Sequence, residues 1–234
     1  MSVKIVYVFM DNKEKKVMSH NCFISFKKED AHYKDEIIKK LGYGRVLGKS
    51  LDKWIDSEDI DYIMQVIRSQ YMNNTSVTLF LIGEHSSENE GFEYSYLNNI
   101  YYNKQNFIIR ELKATLYDGK GNRRSGLLGI VLPEMYNSIY AGSYKCSHCG
   151  KTINYVKINS NTVVNEFSGN YYLNSKCKDG HCEESERFCV LVKYHDFIKD
   201  PDKYINKAYD KTMEDINNFV HWRDINHVYK KKFL

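Results

Sequence analysis

Residues 73–83 read Asn73-Asn74-Thr75-Ser76-Val77-Thr78-Leu79-Phe80-Leu81-Ile82-Gly83, and this stretch decides the fold. From Val77 to Ile82 only Thr78 is polar, and turn-forming residues bound the run on both sides. The run is too short for a globular helix, so it predicts a strand buried on both faces, as at the centre of a parallel sheet. The loop that follows, Gly83-Glu84-His85-Ser86-Ser87, then leaves the carboxyl end of a central strand. Open α/β sheets bind their ligands at such ends.

Outward from this run, strands and helices alternate. On the amino-terminal side, Val3 to Phe9 predicts a leading strand and the charged segment Asp11 to Lys16 a turn. Cys22 to Phe26 predicts a strong strand, and the charged loop Lys27-Lys28-Glu29-Asp30 leads into a helix with Tyr33, Ile37, Ile38 and Leu41 at helical spacing, closed by Gly42. Arg45 to Leu51 reads as a weaker strand, and Ile60, Ile63, Met64 and Ile67 share one face of an amphipathic helix over 58–71. On the carboxyl side, the polar, tyrosine-rich residues 84–104 exceed an ordinary α/β connection and read as an insertion. Asn106 is placed to cap a helix carrying Ile108, Leu112 and Leu116. Asp118 to Asn122 is a turn, and Leu127 to Leu132 a strand halted by Pro133. A second excursion, 134–187, holds four of the six cysteines. Phe188 to Val192 then reads as a last strand, and Ile205, Tyr209, Met213, Ile216 and Val220 as one face of a helix over 202–220. This alternation argues an α/β, doubly wound parallel sheet of about five strands with right-handed connections.

Composition narrows the class. A chain of 234 residues with 42% hydrophobic and 27% charged content has the makings of one substantial globular domain with insertions. Its net charge of +4 selects no partner, and 20 tyrosines beside 2 prolines read as coding bias. Met1 to Phe9 lacks the basic leader, long apolar core and cleavage site of a secretory signal, and no run of apolar residues is long enough to span a bilayer. The expectation is a soluble, cytoplasmic protein whose cysteines are thiols or metal ligands.

Two nucleotide-binding fingerprints are missing, since neither Gly-x-Gly-x-x-Gly after a strand nor a Gly-x-x-x-x-Gly-Lys-Ser/Thr loop occurs; Gly-x-Ser-x-Gly is missing too. A metal motif is present. In Cys146-Ser147-His148-Cys149-Gly150-Lys151 a Cys-x-x-Cys turn lets two thiolates converge on one ion, and Cys177 and Cys182 supply a second pair. Because the second spacing is wider, His148 or His181 can replace a cysteine. A structural Zn2+ held this way would staple an insertion too small to hold itself together. Cys22 and Cys189 fall in apolar strands and read as buried thiols. The basic run Lys230-Lys231-Lys232 reads as solvated.

Three segments together carry a family resemblance. Phe23-Ile24-Ser25-Phe26 with Asp30 close behind, the run 73–83, and Phe107-Ile108-Ile109-Arg110-Glu111 are similar to the TIR domain, and most similar to the TIR-like proteins of the bacterial Thoeris anti-phage system. The resemblance covers roughly 17–132, with a looser echo in the last strand and helix. It implies a single TIR-like domain over 1–234, of flavodoxin-like architecture, with a core of about 17–133 and 188–222; the cysteine spacing makes 134–187 a zinc-binding insertion before the last strand. The family's catalytic glutamate opens a helix shortly after an aromatic residue, which points to Glu111 with Phe107 before it. Here phenylalanine stands where the family usually has tryptophan, and about twenty residues separate the loop after Ile82 from that helix. Glu88, Glu90 and Glu93 in the inserted segment are the rival carboxylates.

TIR enzymes cleave the nicotinamide–ribose bond of NAD+, and the resemblance implies that reaction here. Loss of a neutral leaving group from C1 of a ribose builds oxocarbenium-like charge, as in glycoside hydrolysis, and a carboxylate beside the ribose stabilises it. The resemblance gives this role to Glu111, ring stacking to Phe26, and ligand contacts to Asp30, His85, Ser86 and Phe107. It also implies self-assembly with other TIR domains, a phage-derived trigger, and a downstream effector that senses an ADP-ribose-derived, cyclic product. A TIR scaffold acting only by assembly is the alternative. A zinc-ribbon reader of nucleic acid is a third reading, which the sequence flanking the cysteines does not favour.

Overall fold

The computed structural model describes residues 19–49, 51, 55, 59–95, 100–119, 123–173 and 175–222. The expected strand at Val3 to Phe9 and the basic tail lie outside them. In chain order the elements are β1 (Cys22–Ser25), α1 (Ala31–Leu41), α2 (Ile60–Gln70), β2 (Val77–Ile82), β3 (Phe92–Ser95), β4 (Ile100–Asn103), α3 (Asn106–Leu116), β5 (Gly126–Val131), α4 (Tyr136–Ile139), β6 (Tyr140–Lys145), β7 (Thr152–Val156), α5 (Asn165–Tyr171), β8 (Val190–Lys193), α6 (Tyr194–Lys199) and α7 (Pro201–Asp210). The chain is thus α/β.

A four-stranded, all-parallel sheet in the order β1-β2-β5-β8 forms its centre. Every residue of β2 is buried, as the unbroken apolar run requires of a strand covered on both faces. One face packs α1, α6 and α7, through Ile37, Phe197, Ile205 and Ala208, onto Cys22, Ile24, Leu79 and Leu128. The other packs α3 and α5, through Ile109, Leu112 and Phe167, onto Phe80, Ile82 and Val131, and α2 packs beside α3. The 134–187 excursion thereby contributes to the core, since Val163, Val164 and Phe167 are fully buried.

Several elements differ from expectation, each for a local reason. Among the described residues, Arg45 to Leu51 shows no strand beyond a single parallel bridge, Val46 to Cys22. Gly48 turns the chain away at φ +84, and a Cβ there would lie 1.9 Å from the Tyr71 carbonyl oxygen. Helix α3 begins at Asn106 itself, and Gln105 occupies the cap position without a side-chain capping bond. The helix expected over 202–220 stops at Asp210, where the Thr212 hydroxyl donates to the Tyr209 carbonyl at 2.7 Å; a short 3-10 turn, Asp215–Phe219, then brings Ile216 back to the core. The last strand is Val190–Lys193, two residues later than expected. The segments 84–104 and 134–187 each carry an antiparallel hairpin, β3–β4 and β6–β7. Among the described residues no helix is long and apolar enough to cross a membrane.

Candidate functional site

Glu111 lies on α3, a helix with buried residues all round. Its carboxylate is 2% exposed and meets β1 across the sheet face: the Ser25 hydroxyl donates to Oε2 at 2.7 Å, and the Leu51 backbone N–H donates to Oε1 at 2.8 Å. Burial raises its pKa from 4.5 to about 7, against the two hydrogen bonds, which lower it. The group is therefore poised between neutral and charged at physiological pH. Ser25 and Leu51 were not singled out individually in the sequence; only the presence of Ser25 in the matched β1 segment hinted at it.

The other expected residues divide into two sets around this carboxylate. Phe26 follows β1 on the opposite face, packed with the Ile24 and Ile37 cluster, and the Lys34 ammonium lies 5.1 Å from its ring centroid. Both residues line a cavity of about 260 Å3, whose far wall is formed by residues 46–49. Phe107 sits on the Glu111 side, beside the cluster that contains Leu51, with Tyr102 at 6.5 Å between centroids.

Asp30 and Ser86 shape the loop after β2 rather than meeting Glu111. The Asp30 carboxylate occupies the space where a Cβ on Gly83 would sit, 2.5 Å from Oδ1. Burial, then the carboxylates of Glu134 and Glu29, push the Asp30 pKa up to about 6, and Oδ2 has no hydrogen-bond partner among the described residues. Ser86 is fully buried, accepting from Gly83 N at 3.0 Å and donating to the Leu81 carbonyl at 3.3 Å. His85 is half-exposed and faces Glu90, with Nδ1 3.2 Å from Oε2. Gln105 ties the loop to α3 by donating to the carbonyls of His85 and Ser87.

A candidate metal cluster lies in the 134–187 excursion. Cys146 Sγ, Cys149 Sγ, Cys177 Sγ and one nitrogen of His181 lie within 4.8 Å of one another, so these four side chains can hold a metal ion. Cys146 and Cys177 are 3.6 Å apart, Cys149 Sγ and His181 Nε2 3.7 Å, close to the edge of about 3.8 Å of a tetrahedron with metal–sulfur bonds of about 2.3 Å. The Cys-x-x-Cys turn is built to present thiolates: Cys149 N donates to Cys146 Sγ at 3.4 Å, and Gly150 N to the Cys146 carbonyl at 3.0 Å. The fourth corner belongs to His181 rather than Cys182, the substitution that the wider second spacing left open. Cys182 is buried with its carbonyl accepting from Arg187, and His148 faces Asp179 at 4.0 Å. Cys22 and Cys189 are buried thiols, with Cys22 pushed up to about 12 by burial.

No protein-family model matches the chain, and no curated protein matches it.

Proposed function

We propose that this protein is a TIR-type enzyme that cleaves NAD+ at the nicotinamide–ribose bond, with Glu111 as the catalytic carboxylate. One observation carries the reading. Two of the segments that resemble the TIR family, 86 residues apart, meet in a single hydrogen bond between Ser25 and Glu111. The sheet supports it: with Val46 counted as the rudiment of a second strand, the spatial order becomes 2-1-3-4-5, the flavodoxin-like order. In such sheets the ligand crevice opens where the order reverses, which here lies between β1 and β2.

The chain's own groups can perform the step. When ionised, Glu111 offers a negative charge in a water-poor site, where it stabilises oxocarbenium character at C1 of the ribose more strongly than in water. Reaching the ribose requires the cover around Glu111 to open, because the residue is 2% exposed. The neutral nicotinamide departs without a general acid. Water at C1 gives ADP-ribose, and a nucleophile of the same molecule gives a cyclic isomer that an effector would sense in defence against phage. The donor set of three thiols and an imidazole fits Zn2+, held by Cys146, Cys149, Cys177 and His181 as a staple of the 134–187 excursion.

The sealed state of Glu111 also favours a second reading, a TIR scaffold that acts by assembly and keeps the carboxyl only as a core hydrogen-bonding group. Incubation with NAD+, alone and with phage-infected lysate, separates the two. Released nicotinamide that falls roughly 100-fold or more in Glu111→Gln supports the enzyme. A Glu111→Gln protein as active as the parent rules out the mechanism.

A further inference from the structure

A groove on the flank of the metal cluster takes no part in the Glu111 site. It encloses about 350 Å3 between residues 153–159, along β7 and its continuation, and the segment 179–182. Pockets of about 300 Å3 and more accept small organic ligands. Three tyrosines from separate parts of the chain border it: Tyr144, Tyr155 and Tyr172, which are 38, 49 and 40% exposed. Their rings are held in place. Tyr144 and Tyr155 pack edge to face with centroids 6.4 Å apart, and the Tyr172 hydroxyl donates to the Val156 carbonyl at 2.7 Å.

The polar lining is biased toward anions and hydrogen-bond acceptors. Lys157 is exposed at the rim, and Asn154 contributes an exposed amide. The lining carboxylate, Asp179, already accepts from the Cys146 thiol at 2.8 Å and the Ser147 hydroxyl at 3.2 Å. His181 is buried in the lining and belongs to the metal cluster.

Fixed aromatic rings, an exposed amide and an ammonium are the recognition set for one kind of ligand. We propose that this groove binds a nucleobase with its attached phosphate: the base stacks on the tyrosines, its edge meets the Asn154 amide, and the phosphate meets Lys157. Stacking of this kind tolerates any base and is strong enough to carry binding. A free nucleotide and a single-stranded nucleic acid offer the same chemistry.

The test uses the full-length protein as purified, titrated with AMP by calorimetry and with a short fluorescein-labelled oligo(dA) by anisotropy. Saturable binding of either probe is expected, weakened roughly 5- to 150-fold by Tyr155→Ala. Lys157→Glu should weaken it too and flatten its dependence on salt. Oligo(dA) binding much tighter than AMP identifies a strand as the ligand, and equal affinity a free nucleotide. Both side chains are exposed, so the variants should keep the metal content and circular dichroism of the parent. The proposal is overturned if neither probe binds, or if folded Tyr155→Ala and Lys157→Glu bind as the parent does.

Discussion

Replacing Glu111 by glutamine should stabilise the fold at neutral and alkaline pH and do little in acid. The carboxyl is fully enclosed, and its pKa rises from 4.5 to about 7 on folding. The folded state therefore holds its proton more tightly than the unfolded state. Stability is fully present below about pH 4.5, falls as pH rises between 4.5 and 7, and stays at the lower value above. At about 1.4 kcal/mol per pH unit, the difference of about 2.5 costs the parent about 3 kcal/mol once Glu111 is ionised. Glutamine keeps an oxygen for Leu51 N–H and can donate its amide to Ser25, yet carries no charge to desolvate. For a chain of this length about 3 kcal/mol corresponds to roughly 6 to 12 °C in Tm. Thermal melts of both proteins from pH 4 to 9 should therefore diverge with rising pH, the variant melting higher. Parallel curves across that range would refute the buried, ionisable carboxyl on which the argument rests.

Other perturbations have equally definite outcomes. Ser25→Ala removes a donor that lowers the Glu111 pKa, so the fall in stability should still begin near pH 4.5 but extend above 7, read from the same melts. Gly83→Ala places a methyl 2.5 Å from the Asp30 carboxylate and should cost about 1–3 kcal/mol in urea unfolding. Asp30→Ala in the same chain should recover most of that loss, as expected for groups in direct contact. Elemental analysis should find bound zinc in the parent and in Cys182→Ser, and its loss in His181→Ala.

The sheet was legible because its signal is local. Val77 to Ile82 and Leu127 to Leu132 are apolar without a break, and only a strand covered on both faces uses such runs. The α3 helix was legible through Ile108, Leu112 and Leu116, but its full enclosure was not, since Glu111 and Lys113 look solvated until Ser25 and Leu51 meet the one and the Trp222 ring the other. Sequence periodicity also failed at Met213 and Val220, where a threonine hydroxyl takes the carbonyl that would have continued α7. At the site, Glu111 and the three metal cysteines were visible as residue types at a spacing. Their partners were not. Leu51 acts through its backbone N–H, which no side chain announces, and Cys177-x-x-x-His181 shows as a ligand pair only once the chain turn between them is known. The three tyrosines of the groove were hidden for the same reason, dispersed among many others in the sequence.

The contacts of Glu111 also bear on how the chain folds. Its two partners lie 86 and 60 residues away, so neither hydrogen bond forms until β1, the segment at Leu51 and α3 have come together. Contacts of such separation form late, after the entropy of closing the intervening loops has been overcome. The carboxyl leaves water as these elements close around it. A protonated Glu111 crosses this stage at lower cost than an ionised one, so acidity should act as an accelerator of refolding as well as a stabiliser of the folded state.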